Sequence, residues 1–334
     1  MPFSYPTTIL LADSEKVTDI SELVKAVNWS GSYKQVSRTL AVDMLYAPND
    51  LNIPHVPVSG GMALTMSGAD GDLFAGTVLD LSRETSAPVA SLTAYDWGIY
   101  LKRNEEYIKV EKRTAEEVTS EICRKIGLTV GSIAKTGILL NRNFFPGNYY
   151  EIIRTLYALA SEQTGGKYMI RIIGRTLSVI DVLKPEKMLL LKAGSNLIDF
   201  KIKESASNLT NSVGIYDDNN KLIDSISDSA LTALYGVMQQ AIQKSKQDDA
   251  TAAARKLIDD GKVATTITAT CIGNPLLLAG NSVIVEEPIT KTFGQFYILT
   301  DNHSWNSGMY KTKLTLQLEA VVDAATAGAA VKEA

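Results

Sequence analysis

DNHSWNSGMYKTKLTLQLE, residues 301–319, holds two readings side by side. Its first half gathers Asp301, Asn302, His303 and Ser304, side chains able to carry catalysis, next to Trp305. Its second half alternates. Tyr310, Thr312, Leu314, Leu316 and Leu318 fall on one side, and Lys311, Lys313, Thr315, Gln317 and Glu319 on the other. Period two sustained over that length marks a half-buried strand. Gln295–Thr300 is also extended in character, so 301–309 reads as a connection or strand end closed by Asn306-Ser307-Gly308, residue types that turns favour. A catalytic reading needs a nucleophile, a base and an orienting acid that converge. The other histidine, His55, sits in the proline-flanked Ile53-Pro54-His55-Val56-Pro57. Neither histidine has a His or Cys at metal-ligand spacing. His303 is therefore expected at a strand end, and Trp305 in packing against a β-domain or an interface.

Working outward, the first hundred or so residues carry short strand patterns at Thr7–Leu11, Thr39–Leu45, Met62–Met66, Leu73–Leu81 and Val89–Tyr95, separated by Gly, Asn, Asp and Ser. Such spacing favours a sandwich or small barrel. Ser21–Val27 reads as a short helix. The pattern then changes. Thr114-Ala115-Glu116-Glu117 is a capping box, with Val118, Ile122 and Ile126 on one helical face and Gly127 as a stop. A loop leads to a second amphipathic helix over Asn148–Gln163, and Lys167–Ile173 with Thr176–Val182 form a hairpin across Gly174-Arg175. From Asn196 strand patterns return at Leu197–Ile202, Ser212–Tyr216, Leu222–Ile226, Val263–Ile272, Asn281–Glu286, Gly294–Thr300 and Met309–Ala320. Residues 229–261 read as helical: Leu231, Leu234, Tyr235, Met238 and Ile242 share a face, Gln243–Asp249 is a polar connection, and Thr251–Leu257 resumes the helix. The alanine-rich end reads as a frayed tail. The fold class is a β-rich α+β chain of pseudo-duplicated plan. A β-domain spans 1–110, a helix–helix–hairpin module 111–188, a second β-domain 189–323 with a helical insertion 228–260, and a flexible tail 324–334.

The bulk numbers close off several functions. In 334 residues, 45 % are apolar and 21 % charged, an ordinary globular balance, and the formal net charge of −4 gives no global pull toward nucleic acid. Cys123 and Cys271 are too few for a disulfide framework and read as buried apolar residues. The first sixteen residues lack the basic and apolar regions of a signal peptide, and the longest apolar runs are too short to span a bilayer. GxSxG, HExxH and P-loop patterns are missing. Glu105-Glu106, Glu116-Glu117 and Asp248-Asp249 read as solvated surface pairs, and Asp43, Asp80 and Asp96 sit in or beside strands. Asp217-Asp218-Asn219-Asn220 lacks the glycine and distal glutamate of an EF-hand loop and reads as a hairpin turn. No catalytic, cofactor-binding or metal-binding residue is assigned.

Three stretches carry a resemblance. They are Leu234-Tyr235-Gly236-Val237-Met238-Gln239-Gln240 with the polar helix to Leu257, Ile272-Gly273-Asn274-Pro275 through Val283, and Gly294-Gln295-Phe296-Tyr297-Ile298 running into His303-Ser304-Trp305. With Asp96-Trp97-Gly98-Ile99-Tyr100-Leu101 before the Thr114 helix, the chain resembles the baseplate hub proteins of contractile phage tails, of R-type tailocins and of defective prophages. The resemblance implies two tail-tube-like β-barrel domains per chain. Three copies would set six barrels in a ring that matches a six-fold tail tube to a three-fold spike. The implied partners are a homotrimer, the tail tube and tail spike proteins, and wedge and tape-measure proteins. Specific nucleic-acid binding and membrane insertion are not among them. The implied place is the bacterial cytoplasm during assembly, then the baseplate. The alternatives are a tail-associated cell-wall hydrolase, or a peptidoglycan- or glycan-binding module with Trp29, Trp97 and Trp305 as stacking platforms.

Overall fold

The computed structural model describes residues 8–69, 71–84, 86–185, 188–244, 249–306, 308–323 and 325–330. Outside that set lie Thr7 of the first strand pattern, positions 245–248 of the polar connection with Asp248, Ser307 of the expected turn, and positions 324 and 331–334 of the expected tail. The chain is β-rich, 52 % strand against 17 % helix, as its alternating patterns require. Lys201–Ile267 forms one compact unit, and the residues before and after it form another.

The larger unit opens with β1 (Thr8–Ala12), β2 (Val17–Asp19), β3 (Val24–Ser32), β4 (Gln35–Leu45), β5 (Ala63–Gly68), β6 (Gly71–Arg83) and β7 (Val89–Asp96). They lie in the order β3-β4-β7-β6-β5-β1-β2, all antiparallel. The alternation read in the sequence sets the inside. Leu40, Val42 and Met44 of β4 meet Leu92 and Ala94 of β7 and Leu64 and Met66 of β5 in one buried core. Ser21–Val27 is not a helix. Only Ser21–Leu23 makes a 3-10 turn before β3 begins. Val24 and Val27 are β-branched and pair across to Met44 and Val42, and those pairings override the weak local helical pattern.

A middle module follows: α1 (Gly98–Arg103), β8 (Glu105–Arg113), α2 (Ala115–Lys125), β9 (Thr129–Ile133), β10 (Leu140–Asn148), α3 (Tyr149–Thr164), β11 (Tyr168–Ile173) and β12 (Thr176–Asp181). The Thr114 hydroxyl accepts from the Glu117 amide at 3.3 Å while the Glu117 carboxylate accepts from the Thr114 amide at 3.0 Å, a full capping box. Val118, Ile122, Ile152, Ile153 and Leu156 share a core with the hairpin's Ile170 and Leu177. The loop expected between Gly127 and Asn148 holds two strands, β9 and β10. β10 pairs with β8 through two register shifts that scramble the period-two signal.

Next come β13 (Met188–Lys192) and β14 (Leu197–Ser205), then β15 (Ser212–Tyr216), β16 (Leu222–Ser227), α4 (Ser229–Tyr235), β17 (Gln239–Gln243) and α5 (Ala250–Asp260) of the smaller unit. β18 (Ala264–Ile272), β19 (Ser282–Glu287), β20 (Thr292–Asn306), β21 (Met309–Gln317) and β22 (Ala329–Ala330) complete the chain. The helical reading of 228–260 is corrected in its middle. Gly236 ends α4 with φ +79, and β17 then runs parallel to β15. Val213 and Ile215 pack on Ala254 and Ile258 of α5, so this unit owns a small core. The described end of the chain is not frayed. β22 pairs with β10, and Arg142 donates to the carbonyls of Ala327 and Gly328 at 2.9 Å.

The strand orders repeat. With β1, β3, β4, β5, β6 and β7 taken as strands one to six, the spatial order is 1-4-5-6-3-2. β13, β14, β18, β19, β20 and β21 lie in that same order. Finer features repeat as well. Strand five bulges against strand six between Val78 and Asp80 in the first set and between Ile298 and Thr300 in the second. Just before each bulge the backbone bonds coincide. The Gly61 amide donates to Val78 and the Val78 amide to Met62; the Gly280 amide donates to Ile298 and the Ile298 amide to Asn281. Gly61 and Gly280 both hold left-handed φ, +88 and +86, a conformation nearly closed to other residues. One difference stands: β1 meets β5 antiparallel, whereas β13 meets β19 parallel. β20 pairs antiparallel with β3, from Thr300↔Ser32 to Asn306↔Ala26, and this seam joins the two sets of strands into one sheet.

Candidate functional site

Asp301, His303 and Trp305 alternate along β20, so all three side chains enter the interior, while Asn302 and Ser304 face outward. The expected connection is thus the central part of a fifteen-residue strand. Asp, Asn, His and Ser are poor strand formers, so the local pattern ends before the strand does. Pairing on both sides, with β3 and β21, holds them extended.

The interior these side chains enter is a charged cluster. The Arg38 guanidinium grips Asp301 with two hydrogen bonds, the longer at 3.0 Å, and lies 4.2 Å over the face of Trp29. Asp301 also accepts from the Ala279 amide at 2.6 Å. The Arg38 amide donates to Asp96, as does the Gly98 amide. His303 Nε2 faces two acceptors, the Leu277 carbonyl at 3.2 Å and the Asp301 carboxylate at 3.3 Å, so that nitrogen carries the proton. Nδ1 then accepts from the Tyr310 hydroxyl at 2.8 Å or from Thr312 at 3.1 Å. Trp29 and Trp305 flank the imidazole, and Trp305 stacks on Tyr310 at 4.1 Å.

Burial and charge set the protonation states. Burial pushes Asp301 upward, but the Arg38 charge and the hydrogen bonds from His303 and Arg38 outweigh it and leave the carboxyl at about 2. Burial holds the His303 pKa below its usual value against the pull of Asp301, so the ring is neutral at pH 7. Burial lifts Asp96 to about 6 despite the amide hydrogens of Arg38 and Gly98. The set resembles an acid–histidine–hydroxyl relay, yet His303 and Thr312 are completely buried and both ring nitrogens are engaged within the protein. A substrate has no approach to them. The cluster's physical work is positional: one ion pair and one imidazole tie β4, β20, β21 and the 277–279 loop across a seam whose partners lie more than 260 residues apart.

The other candidates fall elsewhere. His55 is exposed and stands 6.1 Å from the Tyr46 ring. Trp29 and Trp305 are core residues, and half-buried Trp97 has the Arg175 guanidinium 4.1 Å over its ring. Glu116 accepts from Thr136 and Gly137, Glu106 pairs with Lys125, and Asp249 caps α5. Asp217 accepts from the Asn219 and Lys221 amides, closing its own turn. Both cysteines are buried, with Cys271 pushed up to about 12. Among the described residues no group of three acidic, His or Cys side chains is set to hold a metal. Among the described residues no helix is long and apolar enough to cross a membrane. Arg38 and Asp96 were missed as cluster members, since nothing local distinguishes a strand arginine whose partner is so distant in sequence.

The profile of the YqbQ-like family matches residues 27–317, from the seam strand β3 to the end of β21. The chain belongs to that family. It is 23 % identical over 305 residues to the uncharacterized protein YqbQ of Bacillus subtilis, covering 88 % of this chain and 92 % of the relative. It is also 23 % identical over 320 residues to XkdQ of the phage-like element PBSX of Bacillus subtilis, covering 92 % and 95 %. Its fold is similar to that of the 43 kDa tail protein of prophage MuSo2 from Shewanella oneidensis, with TM-score 0.63 at 15 % identity, over 92 % of this chain and 97 % of that one. A tail protein from Neisseria meningitidis matches with TM-score 0.58 at 14 % identity, over 92 % and 95 %. The sequence-level resemblance to tail proteins of phages and defective prophages and these matches agree.

Proposed function

We propose that this YqbQ-like chain is a structural hub of a contractile-tail baseplate. In this reading three copies form a ring that presents six similar β-domains, three-fold toward a tail spike and pseudo-six-fold toward a tail tube. The observation that carries it is the repeated strand order, with its repeated bulge and repeated left-handed glycine. A ring with twice as many contact surfaces as chains needs two comparable surfaces per chain, and an internal repeat supplies them. The fold shared with the Shewanella and Neisseria tail proteins supports the setting. Each strand set would close as a tube-like barrel once its edges are covered. Wedge and tape-measure proteins would attach as well, and the smaller unit 201–267, which has a core of its own, offers one such surface. The lumen would let DNA or nothing pass and would read no base sequence, in keeping with the net negative charge. Assembly would take place in the bacterial cytoplasm, and the product would be a tail particle.

The test is to tag the chain in its native bacterium, induce the prophage-like genes, recover the tag and image what comes with it. Tube-and-sheath particles bearing three copies at the join of tube and spike are expected. A free protein without tail components would overturn the hub reading. It would return the hydrolase and glycan-binding alternatives to consideration, to be checked by a peptidoglycan digestion and binding assay.

A further inference from the structure

We propose that the outer edge of β6 at Asp80–Arg83 pairs with the outer edge of β14 in a second copy of this chain, repeating between chains the seam that β20 and β3 make within one. The inference deepens the hub reading. It rests on that reading for closure into a ring and on the internal repeat for the pairing itself.

Within the chain the seam joins strand five of the second set, β20, to strand two of the first set, β3. β20 is able to accept β3 because β19 covers only its first half, through Tyr297. Beyond the bulge that side of β20 belongs to β3. The first set has the same vacancy. β5 covers β6 only through Thr77, and after the bulge Asp80–Arg83 has β7 on one side and no strand on the other among the described residues. Burial marks the difference. By register Asp301 and His303 of β20 correspond to Leu81 and Arg83 of β6; the first two are buried, whereas Leu81 is half-buried and Arg83 exposed.

The complementary vacancy is on strand two of the second set. β3 has β4 on one side and β20 on the other, but β14 has β18 alone among the described residues and ends the sheet. Val27 and Trp29 of β3 are buried, while β14 is exposed along almost its whole length, with Ile198 and Ile202 open to solvent. A chain thus carries one free five-type edge and one free two-type edge. These cannot satisfy each other through the internal seam, which already uses the other member of each type. An unpaired edge invites a strand. A contact between unlike edges is heterologous, and it closes into a ring when its rotation divides the circle. If the intermolecular seam turns as the internal one does, every five-type edge in a closed assembly meets a two-type edge and none is left over.

The experiment is disulfide trapping in the full chain, whose own Cys123 and Cys271 are buried. Ser82→Cys is combined in turn with Lys201→Cys, Ile202→Cys and Lys203→Cys, a panel that spans both faces of β14. Asn28→Cys with Ser304→Cys, opposite each other in the internal seam, reports that the fold is intact. Under mild oxidation the internal pair should close within single chains. At least one member of the panel should give dimers and higher species on a non-reducing gel, and Ser82→Cys alone should give none. The same panel is run in particles recovered from the bacterium. Particles that hold rings of the chain but show no Ser82 crosslink to β14 would overturn the pairing and leave the hub reading standing. Crosslinks in the purified chain with no particles would support the pairing and sink the hub reading. Purified chain that keeps its internal seam and never crosslinks between copies, with no particles formed, would overturn both.

Discussion

Replacing Asp301 with Ala tests whether the buried cluster holds the seam. The ion pair is out of water, its Asp301 side chain wholly covered and that of Arg38 only 10 % exposed. Removing one partner of a buried pair costs about 3–5 kcal/mol, because the remaining charge is stranded without water. The Ala279 amide, 2.6 Å from the lost carboxylate, becomes an orphan worth about 1–3 kcal/mol. Arg38 keeps the Trp29 face in both proteins, so that contact leaves the difference unchanged and the low end of the two losses sets the expectation. The net expectation is a loss of about 4 kcal/mol, or a fall in Tm of roughly 10 °C at about 2–4 °C per kcal/mol for a domain of this order. Urea unfolding followed by tryptophan fluorescence is the assay, since Trp29 and Trp305 border the cluster. Adding Arg38→Met to Asp301→Ala removes the stranded charge and should restore at least half of the loss, a coupling of about 2 kcal/mol or more. Single variants that each cost less than about 1 kcal/mol and combine additively would show the pair behaving like a surface salt bridge, and the positional role would fail.

The remaining expectations follow from the same geometry. The folded-state pKa of His303 is lowered, so the unfolded chain takes up a proton first as the pH falls through about 6.5, and stability present above that pH is lost below it. His303→Gln should therefore flatten the decline in Tm between neutral pH and about pH 5, while Asp96, whose raised value works oppositely, contributes equally to both proteins. Gly61→Ala and Gly280→Ala both meet a left-handed φ, a cost of about 1 kcal/mol. Added Cβ atoms meet nothing at Gly61 but Met169 Sδ at 2.5 Å and Ile180 at 3.3 Å at Gly280, so Gly280→Ala should be the more damaging by about 1–3 kcal/mol in the same urea assay. Thr114→Ala removes one half of a capping box and should cost about 1 kcal/mol, with Thr114→Ser recovering most of it.

How much was legible depended on the range of the physics. The helices α2 and α3 were readable because caps and 3.6-residue periodicity are local, as Thr114, Glu117, Asn148 and Gly165 show. The hairpin of β11 and β12 was readable for the same reason, with Gly174 in its turn. β17 was not, because Met238 and Ile242 lie four apart and mimic a helical face, and only the parallel partner β15 makes that stretch extended. The polar run 301–306 imitates a connection or strand end for an equally local reason, its Asp, Asn, His and Ser. What rescues it is hydrogen bonding to β3 and β21 on either side.

The sequence by itself determined a β-rich chain with a helical centre, a pseudo-duplicated plan, buried cysteines and a likeness to tail hub proteins. Alternation, capping and turn chemistry are written within a few residues of each other. The tertiary structure decided that the repeat reaches to strand order, bulge and glycine φ. It also decided that Asp301 and His303 are interior, and that Arg38 is their partner. Those facts depend on which edge meets which edge across hundreds of residues, and pairing free energy at that range is set by register and burial rather than by any neighbouring residue.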